Sequence, residues 1–255
     1  MTRALVAGII LFLLSIFLLP EITSAVGLEV AVGGWRQDPS GDIGYKGEKL
    51  SVENELKYDS ETKIFGRAKI DLPLWLPNIY LMATPMKFEE DEGRKSINFT
   101  FGDKTFAANV PFKSSLRADH YDLCLYYGLP FLKMATLGIL NVDLGLNGRI
   151  INFKAKIDQP TTGIKESKSL TIPVPMAYAG IQIKPVKFIG IEFEGRGIAF
   201  SSNHYYDLIG RLKIKPFGPV FVAGGYRHED VKIDKSDVKA SLKFKGPFAE
   251  AGIEF

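Results

Sequence analysis

The stretch that decides the fold runs Gly138-Ile139-Leu140-Asn141-Val142-Asp143-Leu144-Gly145-Leu146-Asn147-Gly148-Arg149-Ile150. Its even positions carry Leu140, Val142, Leu144, Leu146 and Ile150, and its odd positions carry Asn141, Asp143, Asn147 and Arg149. Successive side chains of a strand point to opposite faces, so the pattern describes a strand with one oily and one polar side. The period recurs along the chain. Ile189, Ile191 and Phe193 alternate with Glu192, Glu194 and Arg196. Tyr206, Leu208, Leu212 and Ile214 alternate with Asp207, Arg211, Lys213 and Lys215, and Tyr121, Leu123, Leu125 and Tyr127 with His120, Asp122, Cys124 and Tyr126. Helical spacing fits none of these runs.

A soluble sandwich also alternates, but its strands average about five or six residues. These runs reach the roughly 9–11 residues that a tilted strand needs to cross a bilayer. The segments between them form two classes that take turns along the chain. One is compact and rich in Pro and Gly: 72–77, 128–133, 184–187 and 215–219. The other is polar: 37–62, 89–115 and 158–169, followed by the short 201–203 and 234–236. Short periplasmic turns alternating with longer outer loops describe an up-and-down barrel. The fold class expected is therefore all-β, a transmembrane up-and-down antiparallel β-barrel. With both ends on the periplasmic side the count is ten strands, at 28–36, 63–71, 78–90, 115–128, 138–157, 170–184, 188–200, 204–215, 219–233 and 237–255. Segment 47–58 reads either as a short helix or as an extra strand, which leaves eight or twelve strands open. Pro173 and Pro175 would disrupt a central strand and are expected at its outer end. Gly246-Pro247 shifts the apolar parity from Leu242/Phe244 to Ala249/Ala251/Ile253/Phe255, and a β-bulge is expected there.

Both ends read as addresses. Arg3, the apolar run Ala4 to Leu19, Pro20 and the small residues before Gly27 have the layout of a secretory signal peptide. Residues 1–25 are assigned to it, with cleavage as late as 27, and 26–255 to the barrel. The last residues place Ala249, Ala251, Ile253 and the terminal Phe255 on one parity, like the strand signal that the barrel-assembly machinery reads in bacterial outer-membrane proteins. The chain of 255 residues carries 32 Lys+Arg against 29 Asp+Glu, net +3, with no concentrated basic character to serve nucleic acid. One cysteine, Cys124, excludes an intrachain disulfide framework, and three histidines leave little for a His-rich metal centre.

The start Leu28-Glu29-Val30-Ala31-Val32-Gly33-Gly34-Trp35, with Asp38-Pro39-Ser40-Gly41-Asp42 after it, resembles an uncharacterised family of outer-membrane β-barrels bearing a Gly-Gly pair in the first strand. Thr105-Phe106-Ala107-Ala108, Ala223-Gly224-Gly225-Tyr226-Arg227 and Gly246-Pro247-Phe248-Ala249 fit the same pattern, over most of the mature chain. More distantly the plan is similar to OmpW-type barrels. The resemblance implies location and architecture, and brings no catalytic or ligand residues.

In hydrocarbon the sheet must close on itself, because unsatisfied backbone groups cost several kcal/mol each. The apolar parity should then face lipid and the polar parity the lumen. That turns Glu29, Arg67, Lys69, Asp71, Asp122, Asp143, Arg149, Glu192, Glu194, Arg196, Asp207, Arg211, Lys213 and Arg227 inward. Ten strands enclose little more than side chains can fill. The functional expectation is a structural barrel or a narrow passive channel for small solutes. A barrel binding partners through loops 37–62 and 89–115 is the alternative. A hydrolase at the mouth is a third reading, using His120 with Asp122 or His228 with Glu229 and Asp230. Asp38-Pro39-Ser40-Gly41-Asp42 reads as a turn rather than a calcium loop. Trp75, Tyr80, Tyr121, Tyr127, Phe131, Phe188, Phe217, Phe221 and Phe255 are expected in an interfacial girdle. No cofactor and no metal are expected. The partners expected are outer-membrane lipid, the barrel-assembly machinery and periplasmic chaperones during biogenesis, and a small-molecule solute, for a monomer that binds no nucleic acid.

Overall fold

The computed structural model describes residues 26–73, 75–235 and 237–255. The expected export signal, residues 1–25, lies outside them. The alternating runs become strands β1 (Gly27–Tyr45), β2 (Leu50–Ser51), β3 (Glu61–Asp71), β4 (Asn78–Thr84), β5 (Lys87–Gly93), β6 (Phe99–Phe101), β7 (Lys104–Phe106) and β8 (Phe112–Gly128). After a short helix α1 (Pro130–Ala135) come β9 (Leu140–Gln159), β10 (Ile164–Val186), β11 (Ile189–Phe200), β12 (Asn203–Phe217), β13 (Val220–Lys235) and β14 (Val238–Glu254). From β8 to β14 each strand pairs antiparallel with the next, β14 pairs with β1, and β1 leads through β3 and β4 back to β8. β4 and β5 lie end to end along β8 and keep one register across Pro85-Met86. The wall therefore has ten strands and is closed, so no edge runs its full length.

The exterior carries a belt of large apolar side chains. On β8 it is Tyr121, Leu123, Leu125 and Tyr127, on β9 Leu144, Leu146 and Ile150, and on β12 Tyr206, Leu208, Leu212 and Ile214, all exposed. Leu146 has 74 % of its surface outside. Trp75, Tyr127, Phe131, Phe188, Phe217 and Phe255 are exposed near strand ends, as a girdle requires, whereas Tyr121 is exposed in the middle of β8. Tyr80 and Phe221 are not part of the girdle. Both are buried inside the barrel, on the parity opposite to the belt.

Above the belt the faces exchange character. The outward residues of β9 continue as Asn152, Lys154, Lys156 and Asp158, and those of β14 are Lys239, Ser241, Lys243 and Lys245. The inward residues there are Ala155, Ile157, Leu242 and Phe244. This corrects the bulge expected at Gly246-Pro247. Even-numbered residues of β14 point inward from Ala240 to Glu250, and the β1–β14 register is the same on both sides of Pro247. The apolar parity shifts because the surroundings change, with solvent outside and an apolar core inside, while the strand itself stays in phase.

The polar segments also shrink. Asp38 to Asp42, expected as a turn, are strand residues of β1 paired with β14 from Asp38↔Lys245 to Asp42↔Ser241. The expected loop 158–169 is a tight turn at 160–163 between β9 and β10. Both errors have one cause: exposed wall strands outside the belt are as polar as loops. Segment 47–58 forms neither a helix nor a wall strand. It contributes the two residues of β2, and then turns inward to bury Leu50, Val52 and Leu56. Above Ala177, β10 has β9 as its only wall partner, and the β9 ladder passes Pro173 and Pro175 without a shift. Prolines two apart present their missing donors to the same side. The side toward β11 is unpaired at this height, so no ladder bond is lost.

Loop 46–60 and the β6–β7 hairpin close the mouth at the end away from the short turns. Phe99, Phe101, Phe106 and Phe112 join Ile43, Leu50, Val52, Leu56, Phe88, Leu116, Ile157 and Phe244 in one buried core. Phe99 stacks on Phe106 with centroids 5.1 Å apart and tilts against Phe112 at 5.3 Å. Gln159, fully buried, fastens the hairpin: its Nε2 donates to the carbonyls of Ala107 and Val110 at 3.0 and 3.1 Å, and its Oε1 accepts from the Ala107 N–H. Lys95 ties the two loops, 2.9 Å from Glu55 and donating to the Lys49 carbonyl at 3.1 Å.

Candidate functional site

Beneath this cap, strand alternation aims charged side chains from most of the wall strands at one another. The outer layer sets three guanidiniums, Arg149, Arg196 and Arg227, against three carboxylates, Asp122, Asp207 and Glu229, all buried. Arg149 holds Asp122 through Nε–Oδ1 at 2.8 Å and Nη2–Oδ2 at 3.0 Å, and it also donates to Asp207. Arg227 grips Asp207 with two bonds of 2.9 and 2.8 Å, lies 2.7 Å from Glu229, and packs over the Trp35 ring at 4.7 Å. Tyr205 donates its hydroxyl to Glu229 at 2.8 Å.

The inner layer is built the same way. Arg67 lies between Glu29 and Glu250, with its Nη2 at 2.7 Å from Glu250. Arg211 Nη1 reaches Glu192 and Glu194, each at 3.2 Å. Lys213 touches Glu192 at 2.7 Å and Glu29 at 2.8 Å, and Lys69 donates to Glu194 at 2.8 Å. Arg196 joins the layers, 3.3 Å from Glu194 and 3.8 Å from Asp207, with its guanidinium over the Tyr80 and Tyr178 rings. Charge-assisted and bidentate bonds of this kind are the strong ones. Each partner is also expensive to leave alone once buried.

Two glycine pairs in the sequence serve this interior. Gly33 and Gly225 point inward. A Cβ on Gly33 would lie 2.5 Å from the Ala249 carbonyl and 2.8 Å from the Phe65 ring. One on Gly225 would lie 2.1 Å from the Gly210 carbonyl and 2.8 Å from the Phe248 ring. Phe65 and Phe248 meet edge to face at 5.8 Å in the space so vacated, and Arg211 lies over Phe248. Glycine is required here for close approach.

Of the residues expected to point inward, Glu29, Arg67, Asp122, Arg149, Glu192, Glu194, Arg196, Asp207, Arg211, Lys213 and Arg227 are buried in these layers. Lys69, Asp71 and Asp143 line a cavity of about 680 Å³ that opens at the short-turn end, together with Tyr126, Tyr178 and Glu254. Sequence reasoning left Glu229 and Glu250 out of the inward-facing set. Both were legible: Glu229 shares the parity of Arg227, and Glu250 lies between the outward Ala249 and Ala251. Ala249, Ala251, Ile253 and Phe255 occupy the opposite parity of the closing strand, and Ala249, Ala251 and Ile253 pair with Gly34, Val32 and Val30.

The hydrolase pairings are not assembled. His228 borders an apolar exterior groove with Tyr226 and Leu208, whereas Glu229 next to it points inward. Asp230 contacts His204 at 3.2 Å instead. His120 is fully buried, with Nε2 at 3.2 Å from Arg227 Nη2 and Nδ1 at 3.3 Å from the Ala118 carbonyl. The same Nε2 lies 3.4 Å from Glu229 Oε1, so the ring is held between a guanidinium and a carboxylate. His120, Asp207 and Glu229 have ligand atoms close enough to hold a metal, but Arg227 already reaches all three. Cys124 is buried within the apolar cluster near Tyr126 and Tyr178.

No family model matches the chain, and no curated protein matches it either. Among solved structures it is similar to Ail, the attachment invasion locus protein of Yersinia pestis, in complex with the heparin analogue sucrose octasulfate. The identity is 12 %, over 91 % of this chain and 99 % of that one, with a TM-score of 0.40. It is also similar to the translocator domain of the autotransporter NalP from Neisseria meningitidis, at 9 % identity over 90 % and 88 % of the two chains and a TM-score of 0.47. The monoaromatic hydrocarbon channel CymD matches at 8 % identity over 91 % and 88 %, with a TM-score of 0.34.

Proposed function

We propose that this chain is a monomeric bacterial outer-membrane barrel that does not conduct in its resting state and serves as a structural anchor for its outer β-domain. One observation carries the reading. The ion-paired layers are buried to the last guanidinium, with Arg149 and Asp207 at 0 % exposure, and an apolar cap of loop side chains lies above them. A passive channel would need a continuous wet path, and both layers interrupt it. The exposed apolar belt supports a hydrocarbon environment, since water-soluble monomers rarely display so large a patch. The short-turn end then faces the periplasm and the capped end faces outward. On this reading the outward Ala249, Ala251, Ile253 and Phe255 serve recognition by the assembly machinery, after escort by periplasmic chaperones and before lipid surrounds the belt. The glycine motifs support placing the chain with barrels bearing a Gly-Gly pair in the first strand.

Planar-bilayer recording tests the proposal. Purified protein should insert and stay electrically silent at moderate voltage, and discrete single-channel steps would favour solute passage instead. A second reading, binding by the outer domain, is favoured by its order. The region above the belt is an extended sheet of β5, β8, β9 and β10, with a shallow charged groove formed by Lys87, Glu89, Lys113, Arg117 and Lys154.

A further inference from the structure

The short-turn cavity holds charges that the ion-paired layers do not use. Glu29, Glu192, Glu194 and Glu254, which border it, each contact a lysine or arginine. Asp71 and Asp143 also line it, and among the described residues neither has a cationic partner within ion-pair distance. Each accepts one neutral hydrogen bond: Asp71 Oδ1 from the Tyr126 hydroxyl at 2.9 Å, and Asp143 Oδ1 from the Asn141 amide at 2.8 Å. That leaves an oxygen of each uncommitted.

A separate observation points to a ligand. Tyr178 is 2 % exposed and lines the same cavity, and its hydroxyl has no hydrogen-bond partner among the described residues. A buried polar group without a partner is costly, and a bound group that supplies the partner is one way a native fold accounts for it. Gly180, the next inward-facing residue on β10, lets that hydroxyl pack against its backbone. A Cβ there would sit 2.9 Å from the Tyr178 hydroxyl and 3.5 Å from the Asp143 Cβ. Of the lysines lining the cavity, Lys69 donates to Glu194 and lies over the Tyr80 ring at 4.7 Å, and Lys184 pairs with Glu254 at 3.4 Å.

We propose that Asp71, Asp143 and the Tyr178 hydroxyl, which packs against Gly180, form a binding site for a small organic cation bearing a primary ammonium or guanidinium group. The carboxylates accept its N–H donors, the phenol oxygen accepts another, and the Tyr126 ring, 5.7 Å from that of Tyr178, offers a π-face to its charge. The cavity is large enough for a small molecule and walled on the protein side, where a low-dielectric lining strengthens attraction to cations. The site opens away from the cap, so it does not require the barrel to conduct. A silent barrel can bind, and failure of binding leaves the conductance result untouched.

The test is calorimetric titration of the folded full-length mature protein in detergent micelles with methylguanidinium and with n-butylammonium, and with acetate as the anionic control. Saturable heat is expected with at least one of the two cations and none with acetate. Asp143→Asn should weaken binding about tenfold, the loss of one charged hydrogen bond. Asp71→Asn combined with Asp143→Asn should abolish it, and His204→Ala on the exterior should leave it unchanged. Tyr178→Phe and Gly180→Ala, which keep both carboxylates, should each weaken it, and they carry the test if the double variant does not fold. No saturable heat from either cation, or binding that survives the double variant or both single ones, overturns the proposal.

Discussion

Arg149 shows what a single residue does in this interior. Its guanidinium meets Asp122 bidentately, reaches Asp207, and lies over the Tyr205 ring at 4.8 Å. Arg149→Leu leaves two buried carboxylates short of a counter-charge, a loss of about 3–5 kcal/mol. The urea midpoint of refolding into vesicles should fall accordingly, while the variant still inserts. Arg149→Lys should recover only part, because an ammonium cannot reproduce the planar fork. On the other face the effect differs in kind. Leu144 is half exposed on the belt face, opposite Tyr127, and Leu144→Arg should hinder membrane assembly by up to about 2–4 kcal/mol, the cost of an arginine at mid-depth. Insertion of Leu144→Arg as efficient as that of the unsubstituted protein would refute the assignment of faces.

At the scale of elements, alternation made the ten wall positions legible, because a period of two survives whatever each face touches. It could not say which face touches what. Leu242 and Phe244 share a parity with Glu250, and only the cap built from residues 46–60 and 99–112 explains why that parity is apolar at one end and charged at the other. Long-range packing of this kind leaves no local pattern. The charged layers were more readable, since charges spaced two apart within the belt have nowhere to go but inward. Tyr80 and Phe221 were misplaced because an aromatic residue near a strand end suits a girdle or a lumen equally well. The cap also has a titratable fastening. The Thr100 N–H donates to Glu48 Oε2 at 2.8 Å, and this bond holds the Glu48 carboxyl below its ordinary 4.5. A lowered folded-state value adds stability above the unfolded value, and loses it as pH falls through the folded one. The Thr100 amide resonance should therefore titrate with a midpoint below 4.5 and stop doing so in Glu48→Gln. A midpoint at or above the ordinary value would mean that the contact is not made in solution.

At the scale of the whole molecule, opposite charges are matched within each layer, and the oily surface is turned outward around the belt. A soluble protein of this size does the reverse. Closure supplies every wall strand with two neighbours within the belt, so opening the barrel means exposing strand edges and buried ion pairs together. Such a unit should resist unfolding by detergent at room temperature and yield only on heating. The most direct measurement is gel migration of the purified protein in dodecyl sulfate, with and without boiling. A faster band that shifts to the unfolded position only after heating is the predicted result. Identical migration in both lanes, from protein that stays dissolved without any detergent, would contradict a closed barrel living in hydrocarbon.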